Sequence, residues 1–229
     1  MKRFFASAIV LVIASTASAH FAYIVRTGDG AKIQVIFSDT LEPDTKVSID
    51  KIAATTLFAV NATGMQTPLK LSKGEHALLA ETPDKDTMVI GGITDYGFHQ
   101  SKHTQNKPVW LKYYPKAILG DVLAAEKVRL GDKVPLEIVA VVREGKLGFQ
   151  ALMKGKPLAD ADCGVVLPGE EKGIKTKTDA AGMIMARFDK AGKYGARVSH
   201  IEPIAGELSG KKYEEIRHYA TLVVDFARR

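Results

Sequence analysis

The chain is poor in several things that narrow what it can be. It has a single cysteine, Cys163, among 229 residues, so no internal disulfide can staple it and its stability must come from apolar burial. Beyond the N-terminal segment no run approaches the ~18 consecutive apolar residues of a membrane-spanning helix. Enzyme signatures are absent: there is no G-x-S-x-G, no P-loop and no G-x-G-x-x-G after a strand, and Cys163 has no adjacent base. The basic residues are interspersed with acids, as in "KGEHALLAETPDKD" and "GKKYEEIRH". The sequence therefore lacks the phosphate-tracking stripe of a nucleic-acid binder, and nucleic acid is discounted as a partner.

What is present begins with a leader. Lys2 and Arg3, an apolar run through Ile13 and the small residues Ala17-Ser18-Ala19 make a secretory signal over residues 1–19 with an A-x-A cleavage site. Its removal places the protein in the periplasm or outside the cell, lowers the net charge from +6 to +4 and makes His20 the first residue. The rest reads as strand nearly throughout. "AKIQVIFS" alternates Ile33, Val35 and Phe37 against Lys32, Gln34 and Ser38, and "TTLFAV", "HALLAE", "TMVIGGIT" and "PVWLKYY" are short β-branched and aromatic runs between turn formers. "DVLAAEKV" is the one segment with helical character. A glycine-rich, charged stretch at 119–133 marks a boundary. The expectation is an all-β chain of two consecutive β-sandwich domains of immunoglobulin- or transthyretin-like kind, at 20–124 and 125–229.

Histidine carries the chemistry. An N-terminal His20 offers its amine and its imidazole Nδ1 in one chelate ring, a donor pair suited to nickel, copper and zinc. Phe21 and Ala22 in the next positions exclude the tripeptide site that uses a third-position histidine. Strand parity puts Tyr194, Ala196, Val198 and His200 on one face of "KYGARVSH", and His218 on one face with Ala220, Leu222, Val224 and Phe226 in "HYATLVVDF". If these strands pair antiparallel, His200 and His218 are neighbours where a connection at 201–217, without obvious structure of its own, leaves the sheet. The candidate metal ligands are thus His20, His200 and His218. The competing reading makes the last two structural, bonded to backbone or to Glu202, Glu214 or Glu215. His99 and His103, in "GFHQSKHTQNK", read as an exposed loop rather than a built site. Asp39, Glu42, Asp44 and Asp50 lack calcium-loop spacing and read as solvated turn residues.

Two resemblances bear on this. "GKPLADADCGVVLPG" followed by "KTDAAGMIMARFDKAGKYGARV" resembles the transthyretin-like and carboxypeptidase-regulatory sandwiches of secreted proteins. The leader ending "SAHF", with "FSDTLEPD", "TDYGF", "YYPKAILGD" and "HIEPIAGELSGKKYEEIRHYATLVV", resembles over the whole mature chain a periplasmic family of uncharacterised members associated with nickel or cobalt uptake. That resemblance implies an extracytoplasmic protein that binds a transition metal. The expectation built on it is a divalent ion (nickel, cobalt or copper) with a membrane transporter component as partner, and the missing enzyme signatures make the protein non-enzymatic in this reading. Two other function classes stand beside it: a non-catalytic surface or adhesion-type sandwich with structural histidines, and a copper-dependent enzyme.

Overall fold

The computed structural model describes residues 20–28, 30–144, 146–170, 173–184, 186, 188 and 190–227; the leader expected at 1–19 lies outside the described residues. The first half contributes β1 (Phe21–Arg26), β2 (Lys32–Ser38), β3 (Thr55–Asn61), β4 (Gln66–Leu69), β5 (Ser72–Lys73), β6 (Leu78–Glu81), β7 (Thr87–His99) and β8 (Val109–Ile118). A single helical turn, α1 (Val122–Ala125), follows, capped by the Asp121 carboxylate on the Leu123 N–H. Then come β9 (Leu136–Arg143), β10 (Lys146–Met153), β11 (Lys156–Pro157), β12 (Asp162–Val166), β13 (Ile174–Lys177), β14 (Met183–Ile184) and β15 (Gly192–Glu202). The chain ends with β16 (Gly206–Leu208), β17 (Lys211–Tyr213) and β18 (Glu215–Phe226). The expected all-β class holds, and the helical character of "DVLAAEKV" is confined to one turn.

The halves are not laid out as two sandwiches in series. One eight-stranded sheet, in the order β13-β12-β15-β18-β8-β7-β3-β4, draws strands from both. The join is parallel, with β18 beside β8 from Glu215 opposite Val109 to Val224 opposite Ile118. The sheet β1-β2-β6-β5 covers one face, where Val109, Leu111, Tyr113, Ala117 and Val223 pack with Tyr23, Ile24, Val35 and Ile36. Strands β9, β10 and β14 cover the other, where Tyr114, Ile118, Tyr194, Ala196, Leu222 and Val224 pack with Ile138, Phe149 and Ile184. Burial on both faces is why β18 carries the continuous run Ala220–Val224 where a one-sided strand would alternate.

The expected boundary between residues 124 and 125 falls inside α1, and the surrounding stretch is core rather than linker. Val122, Ala125, Val128, Leu130 and Val134 are buried in the cluster with β9 and β10. Gly91 admits this segment: a Cβ there would lie 2.6 Å from Leu130 Cδ2 and 2.8 Å from the Phe58 ring. The connection 201–217 is likewise structured, since β15 continues to Glu202 and β16 and β17 form a two-stranded ribbon.

Candidate functional site

Five of the six histidines gather at one end of the large sheet, so that end is where chemistry is to be sought. His99 closes β7 opposite Val109, Val109 faces Glu215 at the start of β18, and His218 in β18 stands directly opposite His200 in β15. Arg217 Nη1 donates to the His103 carbonyl at 3.4 Å. The Phe21 ring, next to His20, meets Tyr219 edge-on at 5.7 Å.

His20 is half-buried at the entry to β1. Its Nε2 lies 2.7 Å from Asp44 Oδ2. Asp44 is positioned by a succession of side-chain turns: Ser38 Oγ accepts from the Thr40 N–H at 3.1 Å, Thr40 Oγ1 from Glu42 at 3.2 Å, and Asp44 Oδ1 from Lys46 at 2.8 Å. The His20 imidazole, and after it the Lys46 N–H, hold the Asp44 carboxyl below its ordinary range. Asp50, from the same acidic segment, is paired instead with Lys73 at 2.5 Å. An ionised Asp44 accepts Nε2–H and so selects the tautomer of His20 whose Nδ1 keeps its lone pair.

Behind His20 stands an aromatic wall. Its ring is 5.6 Å from Phe37, which meets Tyr113 edge-on at 5.6 Å and Tyr96 at 6.0 Å; Tyr113 stacks on Tyr219 at 5.0 Å. Burial raises the Tyr96, Tyr113 and Tyr219 hydroxyls above their ordinary values, so the wall is uncharged. Tyr96 and His99 reach this wall because β7 shifts register between Asp95 and Gly97, with Gly97 at φ +87°. The extra residue reverses parity beyond it, moving His99 to the face that carries Tyr113, where its ring lies 6.0 Å from Tyr96. His99 thus ends a strand and is not the exposed loop residue expected.

His218, 3% exposed, lies on the opposite face. Tyr114 Oη is 2.9 Å from Nδ1 and Glu202 Oε2 is 2.9 Å from Nε2. In the neutral ring the hydroxyl donates to Nδ1 and Nε2–H donates to the carboxylate. Lys154 closes on Glu202 Oε1 at 2.6 Å. Burial holds the His218 imidazole below its ordinary value, against the opposing pull of Glu202. Lys154 first, and then His218, hold Glu202 below its own. A His with a depressed folded pKa contributes stability above the unfolded value of about 6.5, and that stability is lost as pH falls from there toward the folded value. Glu202 contributes with the same sign in a lower window, beneath about 4.3. Thermal melts should accordingly show native protein losing stability between pH 7.5 and 5.5, and His218→Gln losing clearly less over that interval; equal losses would remove His218 as the cause.

The ligand set His20, His200 and His218 is not assembled. Adjacent residues of a strand point to opposite faces, and Tyr113 belongs to the His20 wall while Tyr114 bonds His218. The pairing of His200 with His218 occurs as the parity indicated, but both ring nitrogens of His218 are engaged. Among the described residues no group of three or more His, Cys, Asp or Glu side chains could hold a metal ion. Asp44 and Tyr114, the two groups that set the histidine tautomers, were missed by sequence reading; the S/T/D spacing of "FSDTLEPD" was the available signal for the first. Cys163 is buried with its thiol pushed up to about 11, an inert position.

No family model matches the chain, and no curated protein matches it. One solved structure with a likeness to it is that of the manganese lipoxygenase of Gaeumannomyces graminis, with a partial structure of zonadhesin of Komagataella pastoris. Identity there is 10% over 91% of this chain and 94% of that one, with a TM-score of 0.20, too low to bear on fold or function.

Proposed function

We propose that this is an extracytoplasmic accessory protein that binds a divalent transition metal ion through His20 as the first residue of the processed chain, in the service of nickel or cobalt uptake by a membrane transporter component. The observation that carries the reading is the 2.7 Å contact of His20 Nε2 with Asp44. Metal-ligating imidazoles characteristically give their second nitrogen to a carboxylate, which fixes ring and tautomer and raises ligand basicity. With Nε2 so held, Nδ1 and the freed α-amine are the chelating pair. His200 and His218 are structural in this reading, and the metal is cargo. The two outer sheets are read as the facing layers of two sandwiches fused along β8 and β18, the second transthyretin-like.

Protein recovered from the cell envelope should begin at His20 by N-terminal sequencing. Calorimetric titration of it with Ni²⁺ or Co²⁺ should give one equivalent, and one extra residue ahead of His20 should abolish binding by converting the amine to an amide. Asp44→Asn should weaken binding about 10- to 100-fold. Equal binding by extended and processed forms would refute the reading. The alternative, a surface or adhesion-type sandwich with only structural histidines, is favoured at His218 by its saturated nitrogens; no stoichiometric metal binding at all would establish it for the whole protein.

A further inference from the structure

Four of the seven large apolar side chains left exposed among the described residues, Phe98, Ile201, Ile204 and Leu208, lie at the histidine-bearing end of the large sheet, each between 36% and 49% exposed. Strand pairing sets them close together. Phe98 stands opposite Trp110, Trp110 opposite Ile216, and Ile216 opposite Glu202, the neighbour of Ile201. Three interstrand steps of about 4.8 Å span that row. Ile204 follows, and the ribbon of β16 and β17 then turns at Ser209 and Gly210 as a two-stranded sheet of its own. In it Leu208 is opposite Lys211 and Gly206 opposite Tyr213, so Leu208, Lys211 and Tyr213 share one face. That face meets the strand ends: the Tyr213 ring lies edge-on to Trp110 at 5.2 Å, and Lys211 Nζ is 5.4 Å from the Phe98 ring centre.

The charge set beside these side chains is positive. Lys112 Nζ lies over the Trp110 ring at 4.6 Å, a contact that leaves the ammonium charged. Residues 98–112 hold Lys102, Lys107 and Lys112 and no acid. Of the four acids in 201–217, Glu202 is paired with Lys154, Glu215 with Arg217, Glu207 opposes Lys212 in the ribbon, and Glu214 is the fourth. Asp95 is occupied as acceptor of the Trp110 Nε1–H at 2.5 Å.

We propose that this end of the molecule docks peripherally on an anionic phospholipid surface, with Phe98, Ile201, Ile204 and Leu208 entering the headgroup layer and Lys112 and Lys211 meeting its phosphates. A second copy of the chain fits poorly, because a two-fold interface sets the same patch against itself and would bring these ammoniums together. A protein partner's anchors are received in well-packed pockets. Apolar side chains that stand on a ribbon turn and on strand ends, flanked by lysines, suit instead a layer into which they can sink while the ammoniums stay at its polar surface. Trp110 and Tyr213, half-buried beside them, are of the residue types enriched at that depth. The inference stands whether or not His20 holds a metal; where it does, docking carries the histidine-bearing end to the bilayer that houses a transporter component.

The test is binding of protein that begins at His20 to phosphatidylcholine vesicles with and without phosphatidylglycerol. Co-sedimentation gives the affinity, and Trp110, the chain's one tryptophan, reports from inside the surface itself. Vesicles with phosphatidylglycerol should bind the protein, shift its emission to the blue and, when their acyl chains are brominated, quench it. Phosphatidylcholine alone should bind about tenfold more weakly, and salt should release the protein. Lys211→Ala should weaken binding about fivefold, and Lys211→Glu further. The double variant Ile204→Ser, Leu208→Ser should weaken it about tenfold with unchanged circular dichroism, since both positions are exposed. Lys175→Glu, an exposed position on the edge strand β13, should cost less than Lys211→Glu; an equal loss would reduce the effect to overall charge and overturn the surface. Vesicles that neither bind the protein nor alter Trp110 emission overturn it too, and a dimer in gel filtration that Leu208→Ser dissociates would then make this face an interface between copies. An N-terminally extended form should bind vesicles as the native does whatever becomes of its Ni²⁺ binding, which keeps failure here separate from failure at His20.

Discussion

Glu137→Ala should destabilise the protein by about 3–5 kcal/mol, a loss of melting temperature on the order of 10 °C. Lys116 on β8 is 1% exposed and Glu137 on β9 is 7% exposed, with Nζ and Oε1 2.5 Å apart. The same ammonium donates to the Val128 carbonyl at 3.2 Å, and the Leu130 N–H donates to the carboxylate at 3.3 Å. The pair therefore ties the central sheet, the outer sheet and the 119–133 segment at one point. Removing the acid leaves the lysine in a site from which it cannot reach water. Burial already holds the Lys116 amine below its ordinary value despite Glu137, so in the variant it should shed its proton. The unfolded chain then binds more protons than the folded one, and the deficit should shrink as pH rises from 7 toward the unfolded lysine value near 10.4. Replacing both partners, as Lys116→Met with Glu137→Leu, should be far milder, because no unpaired charge remains. Equal losses in the single and double variants, measured by urea unfolding, would show that packing rather than charge is at stake.

Phe149→Ala should cost a further-reaching 3–5 kcal/mol or so. The ring is fully buried, 4.7 Å from Phe188 and 6.5 Å from Tyr194, in the core between the outer sheet of the second half and the central sheet. Its informative consequence is where the loss is felt. Trp110, the chain's one tryptophan, stands on β8 opposite Ile216 of β18, and so reports from the first half on a defect made in the second. Because β8 and β18 share a ladder, fluorescence and far-ultraviolet dichroism should trace one coincident transition, displaced as a whole in the variant. Two separated transitions, with the fluorescence midpoint unmoved, would mean that the shared sheet does not couple the halves.

Much of this molecule is written in local pattern. Alternation in "AKIQVIFS" places Ile33, Val35 and Phe37 in the core, and parity in "KYGARVSH" and "HYATLVVDF" brings His200 opposite His218 with the apolar positions Tyr194, Ala196, Leu222 and Val224 facing the same layer. A strand repeats every two residues whatever surrounds it, so faces within a strand are legible from the chain alone. Which strands share a sheet is not. The pairing of β8 with β18 joins segments about a hundred residues apart, and nothing in either run distinguishes a neighbour in its own half from one in the other. The same holds for Lys116: read along β8 it marks a wet face, and only Glu137, arriving from β9, makes it interior. A single inserted residue at Tyr96 inverts the parity of β7 and turns His99 to the face of Tyr113, a shift that no alternation along the chain announces. His20 met its carboxylate, Asp44, because side-chain turns curl the acidic segment back on β1, while the sheet's thickness set His218 on the far side. Sequence determined the elements and their faces because those depend on neighbours along the chain; tertiary structure alone decided which charges and histidines meet, because that depends on pairings that backbone hydrogen bonds permit without regard to side-chain identity.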